Sequence, residues 1–301
     1  MSKSFAGTCG SPGEISPPVR SNRDMGRCVA CKSAGMARLD VNDQFLGHPL
    51  LRCTSCQHVQ VAVLPDAKRL QSYYVRGYSS TRASHVDSRY LKVMARRAEA
   101  QLDLCMLWKP LSDLKMLDVG CGYGSLVSGA IRRGATAEGL EIDPRAVAHC
   151  RRLGLPVGNV KSEAELAEAI RQREPQLAVI SHVLEHLVNP ERLLSACSGG
   201  MVMIEVPAYD VEIREQFEDQ EGHLNFFNQA SLKCLLVRLG FEPVVLDGFG
   251  PSLDLYWRSR NLWKRRLGRL LSRDHFMGRY RSRCSRGIWL RALARGSKCE
   301  S

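Results

Sequence analysis

The chain has 301 residues, of which 44% are hydrophobic, and carries a formal net charge of +12. This length suffices for one complete α/β domain with a small additional module, and the composition is that of a globular protein. No apolar run approaches the roughly 20 residues needed to cross a bilayer, and the first 20 residues lack the apolar core of a secretory signal. We therefore expect a cytoplasmic protein whose 12 cysteines are reduced rather than joined as disulfides.

The amino-terminal part divides into two segments. Residues 1–24 are rich in Gly, Ser and Pro and are expected to be disordered. Residues 25–86 contain two C-x2-C pairs that are 21 residues apart. The four cysteines are Cys28, Cys31, Cys53 and Cys56. Each pair presents two thiolates from one tight turn, and the two pairs together predict a closed, tetrahedral, structural Zn²⁺ site that stabilises a module too small to bury a core.

Residues 87–257 read as alternating helices and strands, which predicts a doubly wound, mostly parallel sheet. A helix is expected from about Asp87 to Trp108, and N-cap residues predict further helices. The predicted N-caps are Asp143, Asn189 and Asn228. Apolar runs at 177–180 and 201–206 suit strands that are buried on both faces. The last two strands are placed at about 242–246 and 252–257.

One apolar strand leads directly into a G-x-G-x-G turn made by Gly120, Gly122 and Gly124. Glycines let the backbone turn tightly and approach a ligand without a Cβ in the way. Glu141 ends a second apolar strand about twenty residues later, where doubly wound folds place an acid on ribose hydroxyls. The pattern therefore predicts a site for a nucleoside-containing cofactor.

Asp118 favours S-adenosylmethionine over a dinucleotide, because a carboxylate at this place would accept from an ammonium group and repel a pyrophosphate. Three segments in order, L-D-V-G-C-G-Y-G, G-L-E-I-D and I-S-H-V-L-E-H-L, resemble class I S-adenosylmethionine-dependent methyltransferases over roughly residues 110–250. The resemblance implies a Rossmann-like, seven-stranded methyltransferase fold. It also implies a cofactor site at Asp118, Gly120, Cys121, Gly122, Gly124, Glu141, Ile142 and Ser181.

Candidate proton acceptors follow the fourth predicted strand, at the sheet edge where such folds bind ligands. They are His182, Glu185 and His186, and histidine is the usual general base. The same residues form H-x-x-E-H, which on one helix could bind zinc. Some quinone-type O-methyltransferases carry E-x-x-E-H here with a divalent ion, whereas in this chain His182 replaces the first glutamate.

His223 is the first candidate for the base, within E-G-H-L-N-F-F. This segment resembles the E-H-x-x-Y-F segment of bacterial sugar C-methyltransferases, in which the histidine acts as base at the substrate. Gly222 stands where that family has glutamate, and Phe226 where it has tyrosine. The alternative is that His223 only hydrogen-bonds backbone in a loop.

The order of cysteine module, Tyr-rich segment and methyltransferase core also resembles sugar C-methyltransferases and related enzymes of glycan gene clusters. The tyrosines are Tyr73, Tyr74 and Tyr78. In those families they close over the substrate, and the alternative is that they pack the joint between the two domains. The resemblance implies a sugar, nucleotide sugar or related small polar substrate in glycan or secondary-metabolite biosynthesis.

Residues 258–301 contain 14 basic and two acidic residues, which accounts for the whole net charge, while residues 87–257 are mildly acidic. Leucines and Trp263 fall on one helical face of this segment and lysine and arginine on the other. The pattern predicts a basic amphipathic helical tail on an anionic membrane surface, with a nucleic-acid backbone or a solvated tail as alternatives.

Two functions compete with a small-molecule methyltransferase. An RNA methyltransferase could hold RNA with its zinc module and basic tail, and a zinc-dependent scaffold could retain a degenerate methyltransferase fold. The acidic core and the absence of an N-P-P-Y-like motif argue against the first, and the intact Asp118, glycines and Glu141 against the second.

Overall fold

A computed structural model describes residues 26–42, 49–64, 70, 88–210, 212, 222–252 and 283–297 of the chain. The predicted disorder of residues 1–24, the three tyrosines of residues 73–78 and the amphipathic helix near Trp263 lie outside these residues. No helix in the described ranges is long and apolar enough to cross a membrane.

A seven-stranded sheet forms the centre of the molecule, as the sequence predicts. Its strands, named in chain order, are β4 (Lys115–Val119), β5 (Thr136–Glu141), β6 (Val157–Asn159), β7 (Leu177–Ser181), β8 (Met201–Pro207), β10 (Phe241–Ser252) and β11 (Gly287–Gly296). They are ordered β10-β11-β8-β7-β4-β5-β6. Neighbours from β8 to β6 run parallel, while β11 is antiparallel to both β8 and β10. The Rossmann-like α/β fold is thereby confirmed.

Helices cover both faces of this sheet. They are α1 (Ser88–Cys105), α2 (Ser125–Arg132), α3 (Pro144–Arg152), α4 (Glu163–Arg173), α5 (Pro190–Ala196) and α6 (Gln229–Arg238). Side chains alternate along each strand, so Met116 of β4 packs with residues of α1 and α2, and Leu117 packs with residues of α4 to α6. Burial on both faces explains the continuous apolar runs in the sequence.

The predicted N-caps are present. The side chains of Asp143, Asn189 and Asn228 accept hydrogen bonds from backbone N–H groups in the first turns of α3, α5 and α6. These bonds satisfy donors that have no partner within the helix, and so fix where each helix begins after a strand.

A second, four-stranded antiparallel sheet belongs to the cysteine module. Its strands are β1 (Met36–Asn42), β2 (Pro49–Cys53), β3 (Val59–Val61) and β9 (Asn225–Phe226). The last strand comes from the catalytic domain, because β9 lies between β8 and α6 in the chain. The module is therefore joined to that domain by backbone pairing.

The carboxyl-terminal prediction is wrong in one part. Residues 287–296 are not part of a tail but form β11, which lies inside the sheet between β10 and β8. β10 contains the strand expected at 242–246, whereas residues 253–257 of the last expected strand lie outside the described residues. The prediction took Arg291 to be a solvent-exposed residue of the tail. In the structure this arginine is buried in the sheet beside Glu205.

Candidate functional site

The glycine turn follows β4 at the carboxyl edge of the parallel strands. It is held against β5, because the backbone N–H groups of Gly120 and Cys121 both donate to the Leu140 carbonyl, at 2.8 and 3.0 Å. Gly120, Gly122 and Gly124 all have positive φ, a conformation that favours glycine. A Cβ on Gly122 would meet nothing within 4 Å, so the turn leaves open space at its centre for a ligand.

Glu141 is 9% exposed and accepts three backbone hydrogen bonds. Its carboxylate accepts hydrogen bonds from the backbone N–H groups of Gly122 at 2.7 Å, Ile142 at 2.7 Å and Asp143 at 2.9 Å. Burial raises its pKa, and these donors act against that rise. The predicted ribose-binding acid thus also anchors the glycine turn.

Asp118 lies on β4 and is 5% exposed. Burial, with the negative charge of Glu141 added, raises its pKa to about 7. A cationic ligand beside this carboxylate would favour its ionised form. The site therefore fits a cofactor that carries positive charge, as S-adenosylmethionine does.

The remaining predicted cofactor residues occupy different environments. Ile142 faces the site with its backbone N–H, which donates to Glu141. The Cys121 thiol turns instead towards Gly139, and a Cβ added to this glycine would lie 2.6 Å from Cys121 Sγ. The Ser181 hydroxyl accepts hydrogen bonds from Gln101 at 2.8 Å and Arg97 at 3.3 Å, which connects it to α1.

His182, the first of the candidate proton acceptors in the chain, directly follows β7. Its φ is +53°, and it lies between two fully buried carboxylates. Its Nδ1 is 3.2 Å from Glu185 Oε1, and its Nε2 is 3.3 Å from Glu205 Oε1. Because each ring nitrogen faces a carboxylate, the geometry suits His182 better for positioning than for accepting a proton from a ligand.

Glu205, on β8, is the centre of a buried ion-pair network. Arg97 of α1 and Arg291 of β11 both donate to its carboxylate. Burial alone would raise the pKa of Glu205, but the two guanidinium groups outweigh burial and hold the pKa below its usual range. This network connects α1 and β11 to the histidine side of the site.

His223 and His186 face each other, with ring centroids 4.5 Å apart. The Tyr209 hydroxyl lies 2.7 Å from His223 Nδ1, and the Gly222 carbonyl lies 3.0 Å from His186 Nδ1. Each ring thus has a fixed orientation. Tyr209 is buried, which raises its pKa well above the usual range and keeps the hydroxyl protonated.

Glu185 completes this cluster. It is fully buried, and among the described residues neither of its carboxylate oxygens has a hydrogen-bond partner. The ligand atoms of Glu185, His186 and His223 lie within 4.8 Å of one another, so these three residues could hold a cation. The expected H-x-x-E-H motif does not lie on one helix, because Leu184–His186 is a short 3-10 turn, and His182 is not part of the cluster.

The four cysteines of the module come together as the spacing predicts. Sγ of Cys28 is 3.6 Å from Sγ of Cys56, and Cys31 and Cys53 are separated by the same distance. Zinc–sulfur bonds of about 2.3 Å in a tetrahedron place sulfurs about 3.8 Å apart, so the cluster fits zinc. The hydrogen bond with Cys56 lowers the pKa of Cys28 to about 5, which favours a thiolate.

Four site residues were not predicted from the sequence. Tyr209, Arg97 and Glu205 contact the predicted histidines or serine, and the Tyr123 ring lies against His149, with centroids 5.2 Å apart. Tyr209 could have been found, because it follows β8 at the same edge as His182. Arg97 carried no such signal, because it lies within a helix far from the motifs in the chain.

Comparison with known proteins agrees with this geometry. The family model described as "Methyltransferase domain" matches residues 89–246, which is more than half of the chain. A ubiquinone biosynthesis O-methyltransferase from Azoarcus sp. strain BH72 is 34% identical over 101 residues, covering 31% of this chain and 43% of that protein. One from Saccharophagus degradans is 30% identical over 140 residues, covering 40% and 59%. The chain thus spans about half the length of these curated relatives.

Solved structures share the fold at low identity. Magnesium protoporphyrin IX methyltransferase from Synechocystis PCC 6803, solved with bound S-adenosylhomocysteine, has a TM-score of 0.50 and 12% identity, covering 76% of this chain and 99% of that chain. A 1,6-didemethyltoxoflavin-N1-methyltransferase from Burkholderia thailandensis also has a TM-score of 0.50, with 15% identity and coverage of 85% and 100%. The chain therefore belongs to the methyltransferase-domain family, with the fold of S-adenosylmethionine-dependent methyltransferases.

Proposed function

We propose that this protein transfers a methyl group from S-adenosylmethionine to a small polar acceptor. The observation that carries the proposal is the edge at which the open glycine turn, Asp118 and Glu141 lie beside a buried cluster of histidines and carboxylates. The backbone of Gly120, Gly122 and Gly124 would approach the cofactor, with Cys121 and Ile142 contributing main-chain contacts. Ser181 would act through its contact with α1 rather than on the cofactor.

Bound S-adenosylmethionine supplies a methyl group on a positively charged sulfur. In the proposed transfer, a bond would form between the acceptor atom and the methyl carbon as the carbon–sulfur bond breaks, and S-adenosylhomocysteine would be left. The acceptor also loses a proton, which a positioned base takes up. Buried surroundings favour this step, because water would compete for the base and the acceptor.

His223 is the residue we assign to proton removal. It is 7% exposed, and Tyr209 fixes its ring through Nδ1. If Nδ1 carries the proton and donates to the Tyr209 oxygen, Nε2 presents the lone pair that a base needs. His186 packs against this ring, Glu185 supplies negative charge that stabilises the imidazolium formed, and His182 positions Glu185.

For the acceptor we propose a sugar, nucleotide sugar or related small polar molecule of glycan or secondary-metabolite biosynthesis. The support is the buried cluster of histidines and carboxylates, because its side chains can form hydrogen bonds with the hydroxyl groups of such a molecule. A hydroxylated aromatic compound is the second candidate, because the curated relatives are named ubiquinone biosynthesis O-methyltransferases. RNA and a purely structural role rank below both.

We further propose that the cysteine cluster binds one structural Zn²⁺. Four thiols at tetrahedral spacing leave no open position for chemistry, so this ion would hold the module together.

We also propose that the basic part of residues 258–282 contacts an anionic membrane surface, at the inner face of a membrane. Its support is the sequence pattern of cations and leucines.

The experiment that tests the function is methyl transfer from radiolabelled S-adenosylmethionine to separate panels of nucleotide sugars, hydroxylated aromatics and structured RNA. We expect transfer to a member of the first panel, and His223→Gln should lower turnover roughly 10²- to 10⁴-fold, the usual contribution of a base. Asp113→Asn is the control, because this exposed side chain lies outside the site and its change should leave turnover as in the wild type. Transfer to RNA alone, or undiminished turnover in His223→Gln, would overturn the assignment.

A further inference from the structure

The segment that carries His223 is built into the cysteine module. β3 pairs with β9, with Val59 opposite Phe226 and Gln60 opposite Asn225. The Val61 N–H donates to the Leu224 carbonyl at 3.1 Å, one residue after His223. The position of His223 is therefore coupled to the position of β3.

Helix α6 holds both cysteine turns. At its beginning, Asn228 Nδ2 donates to the carbonyls of Gln57 at 2.8 Å and Cys56 at 3.4 Å. At its end, Arg238 donates to the carbonyls of Ala30 at 3.0 Å and Val29 at 3.3 Å. These carbonyls lie within the two turns that present the four sulfurs.

An apolar contact reinforces this connection. His58 is fully buried, with its ring centroid 4.8 Å from that of Phe227. Cys28, Ala30, Cys53 and Cys56 belong to the same apolar core as Phe227 and the buried leucines of α6.

A four-cysteine module is ordered by its metal, because its own apolar core is small. We propose that metal binding at the cysteine cluster fixes the position of His223. Asn228 and Arg238 are the positioning residues that connect the cluster to His223 through α6. The loaded module holds β3, and β3 holds His223 against Tyr209 and His186. Loss of the metal releases the segment from Gly222 to Asn228 while the cofactor edge stays intact. The functional meaning of this coupling rests on the proposed role of His223 as base.

The first test uses Zn²⁺ itself and the full chain with ¹³C-labelled histidine. The His223 resonance, assigned by its absence in His223→Gln, should shift when zinc is chelated and return when zinc is added, and Cys28→Ser, which keeps Glu185, His186 and His223, should not show this response to zinc. The His149 resonance should not move, and S-adenosylhomocysteine should bind both forms with the same affinity. An unchanged His223 resonance on chelation overturns the proposal.

A second test separates transmission from folding. Asn228→Asp keeps the oxygen that caps α6 but removes the donor to Cys56 and Gln57, whereas Asn228→Gln keeps an amide donor. Asn189→Asp is the matched control, since Asn189 caps α5 in the same way. We expect Asn228→Asp to bind zinc with its usual stoichiometry and to lose most of the zinc-dependent shift of His223. Asn228→Gln should recover part of this shift, and Asn189→Asp should keep all of it.

A full shift in Asn228→Asp would overturn the role of Asn228, even if chelation unfolds the wild-type module. The measurements of the zinc-dependent shift require no methyl acceptor. If zinc moves His223 but His223→Gln retains full turnover, the proposed base is wrong and the coupling stands. If His223→Gln is inactive but zinc leaves the His223 resonance unchanged, the base stands and the coupling is wrong.

Discussion

Four buried carboxylates lie near the carboxyl edge of the sheet, and their surroundings differ. Glu141 is stabilised by three backbone N–H groups, and Glu205 by two guanidinium groups. Asp118 has neither kind of compensation, so its pKa rises to about 7. Glu185 accepts no hydrogen bond from the described residues. We infer that Asp118 awaits positive charge from the ligand, whereas Glu185 already has the His182 imidazole 3.2 Å from its Oε1.

The raised pKa of Asp118 predicts that cofactor binding depends on pH. Below about 7 the carboxyl is protonated, so binding a cation must first release that proton, and affinity falls by up to about tenfold per pH unit. As the pH rises through about 7, the affinity should increase and level off. Calorimetry with S-adenosylmethionine should show this rise in the wild type and in Asp113→Asn, an exposed control.

Asp118→Asn should bind more weakly at pH 8 and lose this component of the pH dependence. The comparison with the variant removes the contribution of the cofactor's own ammonium group, which is the same for all three proteins. A pH dependence in Asp118→Asn identical to that of the wild type would contradict the assignment of Asp118.

Elements whose ends are fixed locally were predicted from the sequence. The caps at Asp143, Asn189 and Asn228 act within three residues, and the strands that are buried on both faces are visible as apolar runs. His182, Glu185 and His186 became candidates because they follow an apolar strand, whereas His223 became one only through its resemblance to the E-H-x-x-Y-F segment. β11 was missed because its evidence is not local. Arg291 is 1% exposed only because Glu205 lies opposite it on β8.

This cross-strand pair predicts a large stability effect. Glu205→Gln should lower the free energy of unfolding by roughly 3–5 kcal/mol, because it leaves the buried Arg291 and the partly buried Arg97 without their counter-charge. The double variant with Arg291→Met should recover part of the loss, which chemical denaturation can measure. Arg132→Met is the control, since this exposed residue forms a surface ion pair worth at most about 1 kcal/mol. Equal stability of all variants would contradict the buried network.

At the scale of the whole molecule, residues 287–296 return to the sheet and lie between β10 and β8. A truncation at residue 257 would remove β11 from between β10 and β8 and expose both of their edges. The membrane proposal must therefore be tested by reversing charges rather than by truncation. The substitutions are Lys264→Glu, Arg265→Glu, Arg266→Glu and Arg269→Glu.

Co-sedimentation with vesicles should distinguish this variant from the wild type. We expect the wild type to bind anionic but not neutral vesicles, and to release them as salt shortens the screening length to about 3 Å at 1 M. The charge-reversed variant should not bind. A control carries four reversals at exposed arginines of the catalytic domain: Arg96, Arg152, Arg171 and Arg192. Retention of structured RNA at physiological salt, with no binding to anionic vesicles, would place RNA methylation first.

The central claim is that S-adenosylmethionine binds where Glu141 holds the glycine turn. Calorimetry should find one site per chain, and Glu141→Ala should weaken binding by about 1–3 kcal/mol, the scale for hydrogen bonds to a charged group. Glu138→Ala, on the same strand but paired with Arg173, should bind as the wild type does. Equal affinity of Glu141→Ala and wild type, or tighter binding of a nicotinamide dinucleotide than of S-adenosylmethionine, would contradict the claim.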